Sequence, residues 1–204
     1  MNIPSLTPTE FPVSYLISEV ISYLKNQDKV QEELRNEWVR KIEKNGVGNL
    51  DENMKALSEK VFAQGNVETR LEHMGYRVGY SLAERLSKDL PRLPGELESV
   101  KFICKEFWTN VFGKQVDNLR TNHQGTYVIQ DNKFPFLTSF SEGQQYLNEA
   151  ILYLALPAGI LRGALSNLGI ETSVVGSSDA LPIARFNVTV QQVEEEKNEV
   201  QPLL

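Results

Sequence analysis

A change of apolar periodicity within residues 101–133 constrains the fold of this chain more than any other feature. Before Gly113 the apolar residues recur at steps of one, three and four, the pattern of one broad face of an amphipathic helix. After Gly113 two strand-like runs, 116–121 and 126–130, are separated by four residues that tolerate turn geometry. The stretch therefore predicts a helix that leads directly into a β-hairpin.

Three longer runs carry a family resemblance: FICKEFW in the helix, VDNLRTNHQGTYVIQDNKF through the hairpin, and GILRGALSNLGI further on. In order and length they resemble the small α/β subunits of the transport protein particle, TRAPP, and most of all its subunit 6 type. The resemblance covers about residues 65–193. It implies an α/β (α+β) fold in a single domain, with a helical layer packed on one face of a four-stranded antiparallel sheet.

The chain on either side of this region is interpreted from its residues alone. Residues 1–12 contain three prolines and no apolar period, which predicts a flexible leader. Residues 13–64 predict an N-terminal helix and a charged insert, whose narrow stripe centred on Trp38 is either a solvated helix face or a docking surface. Residues 194–204 are acidic and have no core-forming period, which predicts a disordered tail.

Further helices are predicted within the α/β core, residues 65–193. A helix over 66–89 should bury one apolar stripe, formed by Val67, Leu71, Met74, Val78, Leu82 and Leu86. A second, largely buried helix should begin with a capping box of Ser141 and Gln144 and end at Gly169.

Two strands should follow that second helix, over 170–175 and 183–193. The last strand alternates Phe186, Val188 and Val190 with polar residues, as a strand does when only one of its faces is buried. Helices are therefore expected on one side of the sheet.

Two features predict an interface with a partner. The first helix carries apolar residues on more than one face, so one side should meet the core and another a partner, the alternative being complete burial within the monomer. On the next helix Gly75, Gly79 and Ala83 recur every four residues, although a glycine inside a helix costs about 1 kcal/mol relative to alanine. Close approach of another backbone, from an internal helix or a second subunit, would offset that cost. The candidate partner interface comprises Leu16, Val20, Tyr23, Gly75, Gly79 and Ala83.

Composition narrows the function classes. The formal net charge of −6 and the isoelectric point near 5.1 disfavour a nucleic-acid binder, which needs a basic face for phosphates. A single cysteine, Cys104, cannot form an internal disulfide and suits a reducing compartment, so the chain is expected in the cytosol. The longest apolar run, 150–161, is interrupted by Pro157 and Gly159 and predicts a buried helix rather than a membrane span.

Catalytic motifs are sparse. The two histidines, His73 and His123, lack metal-ligand spacing, and the sequence contains no nucleophile elbow, phosphate-binding loop or dinucleotide fingerprint, so no metal or cofactor is expected. A polar group in the hairpin region could hold an acid/base site, but turn scaffolding is the favoured interpretation. Its members are Asp117, Asn118, Arg120, Asn122, His123 and Asp131.

The resemblance implies a non-catalytic structural subunit of TRAPP, the complex that tethers vesicles and promotes nucleotide exchange on a Rab GTPase. Small subunits of this kind pair through their first two helices, and the 6 type joins the acylated subunit 3. Contact with the Rab GTPase and with ER-Golgi and Golgi membranes would then be peripheral and through the complex. Two alternatives stay open: a lipid- or acyl-binding module, and an enzyme using His123. Cys104 itself is expected to be a buried small hydrophobic residue rather than an acylated one.

Overall fold

The computed structural model of the chain describes residues 10–44, 66–91, 93–122, 124–141 and 144–191. Most of the predicted leader, residues 45–64 of the predicted insert, residue 65 of the predicted core and the whole predicted tail lie outside the described residues. Helix α1 begins at Glu10, inside the stretch expected to be a leader. The helices, in chain order, are α1 (Glu10–Lys44), α2 (Val67–Ser87), α3 (Glu96–Phe102), a π-helical turn (Ile103–Phe107), α4 (Trp108–Phe112), a 3-10 turn (Pro135–Leu137) and α5 (Leu147–Asn167).

Four strands form one antiparallel sheet with the order β1-β2-β4-β3. Their bounds are β1 (Asn118–Thr121), β2 (Thr126–Asp131), β3 (Thr172–Ser177) and β4 (Ala184–Val190). On the two central strands alternate residues are buried, with Ile129 opposite Phe186 in the middle of the sheet. The predicted class, helices against one face of a four-stranded antiparallel sheet, is confirmed.

The predicted helix before Gly113 is present as α3, the π-helical turn and α4 in direct succession. It ends at Gly113, whose backbone φ of 81° lies in the left-handed region that glycine adopts without strain. Its buried face carries Trp108, which packs against Phe112 at 4.6 Å and Phe186 at 5.7 Å between ring centroids. The indole N–H of Trp108 donates a 3.1 Å hydrogen bond to the buried carboxylate of Asp131 at the end of β2. This aromatic cluster fixes the helical rod, as we call α3, the π-helical turn and α4 together, to the hairpin.

Helix α5 begins later than the sequence predicts. Its first residue is Leu147, and Tyr146 before it makes no side-chain capping bond, so the predicted capping box of Ser141 and Gln144 is wrong. A helix that began at this box would carry Gly143 in its first turn, where glycine is a poor helix former. The helix therefore does not begin there. By length and composition α5 could cross a membrane, but 61% of its most apolar window is buried inside the protein. It is the central helix of the core, as predicted.

Helices α2 and α5 cross with their backbones in close approach. A Cβ atom at Gly75 would lie 2.9 Å from Ile160 N, and one at Gly79 would overlap the carbonyl group of Ile160. The relation is reciprocal, because Cβ atoms at Gly159 and Gly163 would overlap the backbone of α2. The small-residue ridge of α2 is therefore filled by α5 of the same chain.

This crossing sets which face of α2 points inward. The buried residues of the helix are Val67, Leu71, Gly75, Gly79 and Ala83. Met74 and Val78, expected in the core, are instead 43% and 47% exposed. Met74 and Val78 follow Val67 and Leu71 by seven residues and lie on the same side of α2, beside the glycine ridge. That side is buried where α1 covers Val67 and Leu71 and is exposed beyond their cluster.

Replacement of Gly79 by alanine should lower the free energy of unfolding by about 1–3 kcal/mol or more, because the added methyl group overlaps the backbone of α5. Urea unfolding followed by circular dichroism measures the loss. The matched control is Gly95→Ala, where a Cβ atom meets nothing within 4 Å and stability should change little. Equal stability of the two variants would contradict the crossing.

Trp108→Ala should cost about 3–5 kcal/mol, since it removes a fully buried aromatic side chain. Trp108→Phe keeps most of the apolar volume but leaves the carboxylate of Asp131 without its indole donor, so it should cost less. Thermal unfolding of both variants separates the packing contribution of Trp108 from its hydrogen bond. An alanine variant with the wild-type midpoint would show that the cluster does not hold the fold.

Candidate interaction surface

Helix α1 attaches to the body through one buried stripe. Ile17, Ile21 and Leu24 are buried and form a small apolar cluster with residues at the start of α2 and on α5. These residues recur at steps of four and three, which keeps them on one side of a helix. The cluster is completed by Val67, Leu71 and Ala155.

Polar contacts at the two ends of this stripe orient α1. Near its start, Tyr153 Oη on α5 donates to Ser18 Oγ at 3.3 Å. Further along, Arg70 of α2 forms an ion pair with Asp28 and donates to Gln27 Oε1 at 3.3 Å. Of the α1 side chains described after Asp28, all are exposed except Arg35, which is half-buried. Helices α2 and α5 therefore hold α1 up to Asp28, and the described side chains of the helix beyond that residue are mostly exposed.

A second apolar stripe runs along the outward side of α1. Its members, called here the outer stripe, are Leu16, Tyr23, Val30 and Leu34. Leu16 is 64% exposed and Tyr23 is 60% exposed. Leu16 and Tyr23 each precede a residue of the buried stripe by one position, a rotation of about 100° around the helix axis. One helix thus presents apolar side chains both to the core and to solvent.

The six predicted interface residues separate into two groups. Leu16 and Tyr23 lie on the outer stripe, and Val20 is half-buried at its edge, where it packs on the apolar cluster. The other three are buried: Gly75 and Gly79 face the backbone of α5, and Ala83 lies in the core. Their assignment to a partner interface is wrong, because the chain itself already covers all three.

Residues that the sequence interpretation placed in the core add to the exposed apolar surface instead. Met74 and Val78 lie on one outward side of α2, and Tyr80, on another side of the same helix, is 41% exposed. The glycine ridge was the signal that could have found them: a ridge that faces a neighbouring backbone leaves the adjacent large residues outside. The first two helices therefore both display apolar side chains.

The family profile described as "Transport protein particle (TRAPP) component" matches residues 13–198, which is most of the chain. The chain belongs to the TRAPP family. It is 54% identical to "Trafficking protein particle complex subunit 6B" of Homo sapiens over 135 residues, which cover 64% of this chain and 85% of that protein. It is 53% identical to subunit 6A of Homo sapiens over 120 residues, 59% of this chain and 76% of that one. The predicted subunit 6 type is confirmed.

A solved TRAPP structure shares the fold. The crystal structure of "a trafficking protein particle complex subunit 3 from Naegleria fowleri covalently bound to palmitic acid" superposes with a TM-score of 0.51 at 18% sequence identity. The match covers 82% of this chain and 97% of that chain. The TRAPP architecture thus extends to a subunit with little sequence in common.

In this TRAPP subunit the polar group of the hairpin region serves as scaffolding where the structure describes it. Lys114 Nζ lies 2.8 Å from Asp117 Oδ2 and 2.7 Å from Asp131 Oδ1. The same Asp117 oxygen accepts the backbone N–H of Asn132 at 2.7 Å. These contacts close the base of the hairpin. His123, the candidate general base, lies outside the described residues.

The single cysteine of this TRAPP subunit lies in the π-helical turn. Cys104 is buried, and burial raises the pKa of its thiol to about 12. A thiol with so high a pKa is almost entirely protonated near pH 7 and is a poor nucleophile. The position favours a packing role for Cys104.

The ion pairs of Lys114 with Asp117 and Asp131 should make the stability of the fold depend on pH. Hydrogen bonds from Lys114 and from the backbone of Asn132 hold the pKa of Asp117 below its ordinary value. A carboxyl group with a lowered folded-state pKa stabilises the fold above its unfolded pKa, and that contribution is lost as pH falls through the folded value. Asp117→Asn should therefore lower the thermal midpoint above about pH 5 and have little effect in strong acid.

Thermal scans of both proteins across that pH range test the expectation. Glu84→Gln, which removes an exposed carboxylate on α2, serves as the control and should keep the wild-type pH profile. A constant difference between the wild type and the Asp117→Asn variant at every pH would contradict the link to Lys114.

Proposed function

We propose that this TRAPP subunit is a non-catalytic structural component that pairs with the paralogous small subunit of the 3 type through the outward faces of α1 and α2. The observation that carries the proposal is the outer stripe of α1, which is apolar and exposed although a neighbouring stripe of the same helix is already buried. A surface helix of a monomeric protein needs only one apolar stripe. The second stripe supports a role in assembly.

The outward residues of α2 support a contact with both helices. Met74 and Val78 are exposed one helical turn apart, on the side of α2 that α1 covers at Val67 and Leu71. Contiguous exposed apolar side chains on a folded chain mark interaction sites more often than isolated ones do. The partner would cover Leu16 and Tyr23 of α1 together with this part of α2.

Within the assembled particle the chain would supply architecture for vesicle tethering and for nucleotide exchange on a Rab GTPase. Contact with the GTPase and with other TRAPP subunits would follow from the position of the heterodimer. The net charge of −6 is unsuited to direct attraction by anionic lipids, which bind clusters of Lys and Arg. Peripheral attachment to ER-Golgi and Golgi membranes from the cytoplasmic side would therefore come through the complex.

The acyl-binding alternative receives less support from this chain. The palmitic acid named for the Naegleria fowleri structure belongs to a subunit 3. Here the one cysteine is buried with a raised pKa, and Phe112, Phe134 and Phe186 pack beside Trp108 between the helical rod and the sheet. Thioester formation would require Cys104 to leave its packed position.

Leu16→Asp should weaken binding to the subunit 3 type protein by about tenfold or more, because it would bury an unpaired charge in the interface. The thermal midpoint of the isolated subunit should stay near that of the wild type, since Leu16 is exposed. Size-exclusion chromatography of the mixed subunits, with titration calorimetry, measures the loss of pairing.

The matched control is Val175→Asp, an equally apolar and 59% exposed site on β3. It should pair as the wild type does. If Leu16→Asp retained full affinity, the outer stripe would not be the interface.

A further inference from the structure

Strand β3 forms an open edge of the sheet. It stands last in the strand order and has no strand beyond it among the described residues. Its sequence, TSVVGS, contains neither a charge nor a proline, the usual devices that keep an edge from pairing with another chain. By contrast, β1 at the other edge has only four residues and carries Arg120.

The register of the ladder shows which backbone groups of β3 are available. Gln191 N–H donates to the carbonyl of Glu171 at 2.8 Å, so the two residues stand at a hydrogen-bonded position of the β3–β4 ladder. In an antiparallel ladder the next residue and every second one after it point the other way. The N–H and C=O groups of Thr172, Val174 and Gly176 therefore face away from β4.

Those groups border a trough between the sheet edge and the helices. Its floor is α5, with Ile151, Ala155 and Ala158, and its far wall is the start of α2. The cavity has a volume of about 420 Å³, within the usual range for ligand sites of roughly 300–1,000 Å³. An extended segment could lie along β3 with alternate side chains on the apolar floor.

A buried polar group lines the same trough. Thr172 is only 3% exposed, and its Oγ1 has no hydrogen-bond partner in the part of the chain that the structure describes. A buried hydroxyl without a partner costs free energy, which an incoming backbone donor or acceptor would recover.

The charges along the trough indicate the sign of its occupant. Three carboxylates and one guanidinium line it among the described residues, which gives a net negative charge. Arg162 lies 2.5 Å from Glu72 and neutralises the charge of its carboxylate. Glu68, in the first turn of α2, and Glu171, before β3, remain to attract a cation.

We propose that β3 binds an extended basic segment of another protein, which adds to the sheet as a fifth strand. Backbone hydrogen bonds to Thr172, Val174 and Gly176 would give affinity, and a Lys or Arg side chain near Glu68 and Glu171 would give selectivity. None of the residues that line the trough belongs to the outer stripe of α1, so the two interfaces are formed by different residues.

The test uses a blocked nonapeptide of alternating lysine and valine as the probe, with a glutamate–valine peptide for comparison. Hydrogen exchange of the full-length protein by NMR is recorded with and without each peptide. The lysine peptide should slow exchange at the N–H groups of Thr172, Val174 and Gly176 by about tenfold or more. The N–H groups of Ser173 and Val175, already directed at β4, should change little.

Charge selectivity is tested by Glu68→Lys, with Glu84→Lys on the same helix as the matched control. Glu68→Lys should weaken the lysine peptide by about threefold or more, the size of an exposed ion-pair effect, whereas Glu84→Lys should not. Glu68→Gln replaces it if the lysine variant is unfolded by circular dichroism. Both variants should still pair with the subunit 3 type protein, which separates this proposal from the α1 interface.

Three outcomes would overturn the proposal. One is the absence of the alternating protection pattern on β3. Another is equal binding of the two peptides. The third is protection that rises with protein concentration in the absence of peptide, which would assign the edge to a second copy of the chain.

Discussion

The backbone-to-backbone crossing of α2 and α5 is the constraint on which the rest of the structure depends. Glycines on both helices, Gly75 and Gly79 against Gly159 and Gly163, let each backbone lie where side chains would otherwise stand. Four glycines within helices are unfavourable for each helix alone, so the crossing makes sense only as a tertiary contact. It fixes the rotation of α2, and through α2 the surface that the chain presents to solvent.

The sheet side of the protein depends on a different kind of contact. Trp108 combines aromatic packing with a hydrogen bond to Asp131, and the carboxylate of Asp131 also receives Lys114. A buried carboxylate is tolerated here because a charge partner and donors surround it. The helical segment from α3 to α4, the hairpin and the adjoining turn are thus held by one shared group, while α2 and α5 combine close backbone packing with the Arg162–Glu72 ion pair.

The sequence predicted what local periodicity encodes. The helix before Gly113, the hairpin after it and the alternating last strand were all found, because one-sided burial imposes a period of 3.6 or 2 on apolar residues. The start of α5 was missed because the capping-box pattern places Gly143, a poor helix former, in the first turn. The inner face of α2 was missed because its crossing with α5, distant in sequence, decides it. Periodicity showed that α1 had apolar residues on two sides, and Leu16 and Tyr23 do lie outside. It could not decide whether Gly79 met its own chain or a partner.

The short attachment of α1 has a thermodynamic consequence. A helix held by one small cluster, the Arg70–Asp28 ion pair and two side-chain hydrogen bonds can detach while the sheet stays folded, as local openings do in other proteins. Any partner that needs α1 docked would then bind only the docked population, and its apparent affinity would fall in proportion to that population. Val67 and Leu71 of α2 hold α1 in place without touching the partner. Through the docked fraction of α1 they would still set the apparent affinity of the subunit for its partner.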